Sequence, residues 1–262
     1  AADLGFRLGA TSFKGRPTGF SGEARWSPKP ANDVQAELAL VRRPVMDSLL
    51  AYAGTEDPRA GVSWGQVSRS GAQGGLTLTR GDLGAYAVLA GYAYDGRRVR
   101  SNASAQLDVG GYAQLYRRGS TVLKGGLNLD LQAYRRNENA FTFGHGGYFS
   151  PQQFVSLTVP LRFSRKTGAW RIEAQVSPGW EHYREGDAPV FPTAPAWQAQ
   201  LPAGQSTITG SRKQGLGVSG EARAEYSLGP RLLVGAEVGG DTFGAYRETH
   251  AALRLRLRFA GR

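Results

Sequence analysis

Hydrophobic and polar residues exchange places at every second position along most of the chain. Leu4, Phe6, Leu8 and Ala10 alternate with Gly5, Arg7 and Gly9, and Phe20, Gly22, Ala24 and Trp26 alternate with Ser21, Glu23 and Arg25. Val34, Ala36, Leu38 and Leu40 repeat the pattern against Gln35, Glu37 and Ala39. Later runs are longer. Ala105, Leu107, Val109, Ala113 and Leu115 oppose Gln106, Asp108, Tyr112, Gln114 and Tyr116, and Leu123, Leu127, Leu129 and Leu131 oppose Lys124, Asn128, Asp130 and Gln132. Trp170, Ile172, Ala174 and Val176 face away from Arg171, Glu173, Gln175 and Ser177, as Leu216, Val218, Ala222 and Ala224 do from Ser219, Glu221, Arg223 and Glu225. A period of two places successive side chains on opposite faces of a strand, and no stretch over ten residues carries a helical period.

The pattern predicts thirteen strands, near 3–13, 17–27, 33–43, 62–70, 73–80, 83–95, 102–116, 121–135, 153–164, 168–183, 214–227, 231–243 and 247–259. Short turn clusters separate many of them: SPKPAND (27–33), YRRGST (116–121), SRKTG (164–168) and SLGPR (227–231). Two connections, Arg135–Gln152 and Arg184–Gln214, are much longer. Soluble strands have a mode of about 5–6 residues, whereas these alternations run to about ten and carry full charges on the polar face. Strands of about 9–11 residues, apolar outward and polar inward, are what a membrane-spanning barrel needs. Lipid offers no partner for a free backbone edge, so such a sheet must close. Bacterial barrels have an even number of strands, so at least one more is expected, first at Val45–Gly54 and second in the 200–213 region. Pro160 and Pro178 fall inside predicted strands, where proline removes a ladder donor. The expectation is an all-β transmembrane antiparallel barrel of at least 14 strands, one domain over 1–262, wide enough to keep an aqueous channel.

The stretch HAALRLRLRF (250–259) fixes a sidedness. Leu253, Leu255 and Leu257 belong against lipid, and Arg254, Arg256 and Arg258 against a water-filled lumen. A one-residue slip would turn the arginines outward, at roughly 2–4 kcal/mol each near the bilayer midplane.

Composition narrows the alternatives. The longest near-continuous apolar stretch, Ala85–Tyr94, is about half the roughly 20 residues that a membrane helix needs. The N-terminus shows no charged segment followed by an apolar one, as expected where a signal peptide has been removed or a longer chain precedes. The absence of cysteine excludes disulfides and cysteine-rich metal sites. The formal net charge of +11 raises the question of nucleic acid. The basic residues are scattered singly or in pairs, with no recognised nucleic-acid motif, so no nucleic-acid partner is expected.

Two stretches are more particular than any generic barrel: RRPVMDSLLAYAGTEDP (42–58) with GVSWGQV (61–67), and FTFGHGGYFSPQQFVSLTVPL (141–161). Both resemble the C-terminal outer-membrane domain of the bacterial cellulose synthase operon protein C family, as does the insertion carrying FPTAP (191–195). The resemblance implies a 16-stranded barrel in the bacterial outer membrane, preceded by periplasmic tetratricopeptide repeats that this chain does not contain. It implies passage of nascent cellulose, a β-1,4-glucan, from periplasm to exterior. The implied partners are the glucan, outer-membrane lipid and, through the repeats, the inner-membrane cellulose synthase complex. Phe259 resembles the aromatic end of the terminal barrel strand, though Ala260-Gly261-Arg262 follow it.

A glucan has apolar C–H faces and a hydroxyl rim, so a conduit for it needs aromatic platforms and many weak polar contacts. Tyr112, Tyr116 and Tyr134 are candidate platforms; Tyr116 and Tyr134 fit an interfacial girdle equally. Arg171, Arg223, Arg254, Arg256 and Arg258 are candidate polymer contacts, since a guanidinium donates in a plane to several hydroxyls. The alternative is a solvated wall braced by cross-strand pairs with Glu173, Glu221, Glu225 and Glu237, while Asp108, Lys124 and Asp130 are further inward charges. The long connection supplies Phe141, Phe143, His145, Tyr148 and Phe149 as candidates for a constriction or gate, or for a structural lid at the rim. Gly61-Val62-Ser63-Trp64-Gly65 matches the G-x-S-x-G pattern, but that motif needs a strand–turn–helix and no helix follows. His145, His182 and His250 are the only histidines, and nothing groups them with a nucleophile or a metal set. No catalytic, metal or cofactor site is expected. A pore for another, anionic or modified exopolysaccharide and a barrel hydrolase are the alternatives.

Overall fold

A computed structural model describes residues 2–13, 16–58, 61–243 and 247–257. The strands are β1 (Ala2–Phe13), β2 (Arg16–Pro28), β3 (Val34–Pro44), β4 (Thr55–Asp57), β5 (Val62–Arg80), β6 (Leu83–Arg97), β7 (Asn102–Arg118), β8 (Thr121–Tyr134), β9 (Gln153–Thr158), β10 (Leu161–Thr167), β11 (Trp170–Arg184), β12 (Ala188–Pro189), β13 (Thr207–Ile208), β14 (Arg212–Ser227), β15 (Leu232–Asp241) and β16 (Glu248–Leu257). Two helical turns, α1 (Leu49–Ala53) and α2 (Pro195–Ala199), lie between strands. Fourteen strands form one antiparallel sheet, ordered β1-β2-β3-β5-β6-β7-β8-β10-β11-β14-β15-β16, with β4 added to β5 and β9 placed between β8 and β11. β12 and β13 pair separately. The sheet has the fourteen strands expected as a minimum, of which β4 is a three-residue addition beside β5. β1 and β16 stand at the two ends of the path, and among the described residues no ladder joins them.

β9 and β10 share both neighbours and are two halves of one crossing, interrupted at Val159 and Pro160. Pro178 of β11 lies opposite that interruption, and its carbonyl accepts the Val159 N–H at 2.8 Å. The two residues that cannot donate are placed against each other, so the ladder is lost at one spot rather than two.

Three sequence expectations are corrected. Residues 62–80 form the single strand β5, with a bulge between Gly65 and Ser68 where Gly65 and Gln66 take positive φ. Val45–Gly54 holds no strand. Ser48 caps α1 there, its side chain accepting from Ala51 N at 3.0 Å, and Gly54 ends the turn at φ 73°. In the 200–213 region only the two-residue β13 precedes the start of β14 at Arg212. The wall therefore makes an even number of crossings: Ala2 pairs with Pro28 and Leu257 with Leu232, so β1 begins and β16 ends at the end of the short turns.

The sidedness holds strand by strand. Leu253, Leu255 and Leu257 are 91 %, 73 % and 52 % exposed, and Leu8, Leu40, Leu89, Leu127 and Leu216 are exposed at equivalent outward positions. An apolar belt of this extent would be unfavourable in water, at roughly 25 cal/mol per Å², and is at home in a bilayer. Arg258 and Phe259 lie outside the described residues. The buried apolar core sits elsewhere, at the long-loop end, around Val45, Ala51, Val67, Tyr92, Tyr94 and Tyr148.

Candidate functional site

Residues directly opposite on neighbouring strands share a face, so the register maps the inner wall. Across β6, β7 and β8 it carries Tyr92, Ser104 and Tyr134 in one row, then Gln106 with Gln132, Asp108 with Asp130, and Tyr112 beside Gly126. Tyr86 donates to Asn128, Tyr92 donates to Gln73 at 3.1 Å, and the Lys124 ammonium sits 4.7 Å over the Tyr112 ring. This sector is aromatic and amide-rich.

The sector from β11 to β16 is ionic. Arg171 faces Glu225 and Glu173 faces Arg223 in register. Arg223 and Arg254 both reach Glu237 Oε2 at 2.6 Å, Arg223 also approaches Glu221 at 3.6 Å, and Arg256 lies 3.8 Å from Glu225. A similar ladder on β2 and β3 joins Arg25 to Glu23 at 2.7 Å and to Glu37 at 3.2 Å, with Arg43 also on Glu23. Arg25, Arg43, Arg223, Arg254 and Arg256 are thus engaged with glutamates along the wall. A cavity of about 720 Å³ lies against Lys124, Arg162, Glu173, Gln175, Glu221 and Arg223. A second, of about 340 Å³, shares Lys124, Arg162 and Gln175 and continues to Tyr86, Tyr112 and Asn128. Open space therefore runs from the ionic sector to the aromatic one.

The alternation misplaces one candidate. A β-bulge between Gln114 and Tyr116 inserts Leu115, so Tyr116 pairs with Leu123 on the outer face and is 47 % exposed. Tyr112 stays inward, and Tyr134 is inward at the far end of β8. Tyr116 instead joins Trp170, Tyr226 and Trp26 on the outside near the short turns, in the manner of an interfacial girdle.

The 135–152 connection folds inward. Tyr148 stacks on the inward Tyr94 at 5.2 Å with an interplanar angle of 12°, leans on Tyr134 at 6.3 Å, and accepts from Asn102 Nδ2 at 3.2 Å. Burial pushes the Tyr148 phenol above its ordinary pKa. Phe143 is buried between Trp64 at 5.6 Å and Trp197 of α2 at 4.9 Å. Phe149 meets Tyr183 edge-on at 5.1 Å, and Phe141 remains exposed.

Beneath these rings Glu138, His145 and Ser150 have no exposed surface. Arg100 Nε donates to Glu138 Oε1 at 2.6 Å, and His145 Nδ1 lies 3.4 Å from Glu138 Oε2. His145 Nε2 donates to the Pro189 carbonyl at 2.8 Å, an acceptor-only partner that fixes the proton on that nitrogen. Ser150 Oγ accepts from Glu138 N at 2.7 Å. Gly147 takes φ 65°, and a Cβ there would come within 2.9 Å of Leu50 Cδ2. Phe149 N donates to Asp47 at 3.3 Å. Loop 135–152 thus packs in the middle of the long-loop end, together with the β3–β5 and β11–β14 connections. Glu138, Arg100 and Asp47 were not singled out in the sequence, where nothing distinguishes them from surface charges.

The G-x-S-x-G stretch enters β5 and its bulge, not a strand–turn–helix. Among the described residues no three of His, Cys, Asp and Glu gather as metal ligands.

Comparison with known proteins agrees with this geometry. A family model described as "Cellulose synthase operon protein C C-terminus" matches residues 1–260. The cellulose synthase 2 operon protein C of Komagataeibacter xylinus is 34 % identical over 95 % of this chain and 19 % of its own length. The cellulose synthase operon protein C of Xanthomonas axonopodis pv. citri (strain 306) is 32 % identical over 82 % of this chain and 15 % of its own length. The chain thus spans no more than about a fifth of these relatives. A solved structure described as a bacterial polysaccharide outer membrane secretin superposes with a TM-score of 0.59 at 10 % identity, covering 99 % of this chain and 76 % of that one, which is a likeness of fold. The apolar belt, the aromatic girdle and the polar inner wall make this an outer-membrane β-barrel domain. By the match along its whole length, the chain belongs to the cellulose synthase operon protein C C-terminal family.

Proposed function

We propose that this domain forms the outer-membrane conduit through which nascent cellulose leaves the periplasm. The observation that carries the reading is the open, two-sector inner wall behind a lipid-facing belt. The aromatic and amide sector around Tyr86, Tyr112 and Asn128 offers platforms and exchangeable hydrogen bonds, which suit a neutral polymer that must enter without being trapped. Arg223, Arg254 and Arg256 brace the opposite sector through glutamates, with Arg171 in register opposite Glu225, which leaves little positive surplus there for an anionic polymer. The lid anchored by Glu138, His145 and Tyr148 narrows the exit and sets its resting aperture. The domain works as a passive conduit without catalysis. The force comes from the inner-membrane synthase extending the chain, with periplasmic repeats on the full-length protein linking the two membranes.

The test uses the full-length protein. Deleting its gene should abolish surface cellulose while membrane preparations still polymerise glucan. The purified protein in planar bilayers should conduct ions, be blocked reversibly by cello-oligosaccharides and release no reducing ends from them. Hydrolysis of the oligosaccharide, or surface cellulose that survives the deletion, would overturn the reading.

A further inference from the structure

Among the described residues, a set of cations at the short-turn end forms no ion pair. Exposed Lys29, Arg80, Arg118, Arg165 and Arg231 stand there beside the exposed acids Asp33 and Asp82. Two of these cations belong to one built arrangement. The bulge that turns Tyr116 outward also turns Arg118 outward, opposite Thr121 of β8, and Thr121 in turn pairs with Arg165 of β10. Arg118, Thr121 and Arg165 therefore form a row across three adjacent strands on the lipid side. The two arginines are separated by two strand spacings, about 10 Å. Arg165 follows Leu161 and Phe163 in the outward column of β10, and Tyr116 precedes Arg118 by one outward position. Trp170, in contact with Tyr226 at 4.9 Å, lies one outward step beyond Ile172, the β11 partner of Arg165. Aromatic girdles of this kind mark the level of the lipid headgroups. Among the described residues neither guanidinium has a carboxylate partner.

We propose that Arg118, Thr121 and Arg165 bind the phosphate of an anionic phospholipid in the periplasmic leaflet. Short turns mark the periplasmic side of outer-membrane barrels, so the row faces the inner leaflet. A guanidinium on each side offers paired donors to a phosphodiester, and the Thr121 hydroxyl lies between them. The acyl chains would then run along the groove of Leu123, Phe163 and Leu161. The site depends on the wall spanning a membrane and not on what passes through the lumen, so it can fail while the conduit reading stands.

The test is native mass spectrometry of the full-length protein in detergent, titrated with phosphatidylglycerol and with phosphatidylethanolamine. Wild type should retain phosphatidylglycerol preferentially, and equal retention of both lipids would overturn the proposal without any variant. Arg118→Gln and Arg165→Gln should each weaken phosphatidylglycerol binding about fivefold, and the double variant about 30-fold. Arg117→Gln with Lys166→Gln removes the same charge from the inward positions of the same two strands and should leave binding unchanged. An equal loss in both double variants would reduce the effect to net charge and overturn the site. Displacement of the lipid by inorganic phosphate at matched concentration would overturn the lipid assignment.

Discussion

At the long-loop end, Glu138, His145 and Ser150 are entirely enclosed, and three connections from different parts of the chain contribute to two apolar clusters that meet at Val99. At the short-turn end, connections are brief, cations are exposed and large aromatics face outward. Soluble domains distribute their core throughout. Here most of the wall leaves its packing to lipid on one side and water on the other, and the chain's own buried clusters gather at the long-loop end, where loop residues pack on Val67, Tyr92 and Tyr94 of the wall. Rigidity that must come from the protein itself is therefore concentrated at the long-loop end. The short-turn end has only to hold its level in the membrane.

Removing the ring at the centre of the lid should separate the two ends most sharply. Tyr148→Ala deletes the stack on Tyr94 and the Asn102 hydrogen bond, at about 3–5 kcal/mol of local stability. Amides of residues 137–150 should lose protection from hydrogen exchange, and single-channel conductance should rise. Trp170→Ala at the opposite end should leave conductance unchanged, and a comparable rise there would erase the distinction. Glu138→Gln keeps the shape but removes the charge that holds Arg100 and faces His145. It should weaken the lid by about 2 kcal/mol, read by the same exchange measurement.

A smaller effect comes from pH. The Tyr148 phenol is held above its ordinary value by burial, so its contribution to the closed lid is complete below about pH 10 and is lost as pH rises further. Conductance should climb on strongly alkaline titration, and Tyr148→Phe should flatten that rise. The smallest effect concerns neighbours across the bulge. Tyr112→Ala should weaken block by cello-oligosaccharides, whereas Tyr116→Ala should not, because only Tyr112 faces the lumen.

Much of this was legible in the residues. The Leu253-to-Leu257 alternation with arginine marked the two faces, and FTFGHGG marked the connection that folds inward. The bulge at Leu115 was not legible, because one inserted residue leaves the hydrophobic alternation around it unchanged while reversing the faces beyond it. Helix α1 spans five residues, too few for a 3.6-residue period to emerge. In 68–75 the small residues Ser70, Ala72 and Gly74 on the outward face hid the continuity of β5. Glu138 and Arg100 are 38 positions apart, and their burial is a consequence of tertiary packing that no local pattern carries.

The sidedness of the wall can be read directly, because residues 1–262 contain no cysteine and any cysteine elsewhere in the full-length protein can first be replaced by serine. Single substitutions Leu127→Cys, Asn128→Cys, Leu255→Cys and Arg256→Cys in the full-length protein would be treated with a membrane-impermeant maleimide in native outer membranes. Labelling of Asn128→Cys and Arg256→Cys, with Leu127→Cys and Leu255→Cys protected until detergent is added, is the expected result. Labelling of the leucine positions in intact membranes, or protection of all four, would contradict a lipid-facing belt around a water-filled lumen.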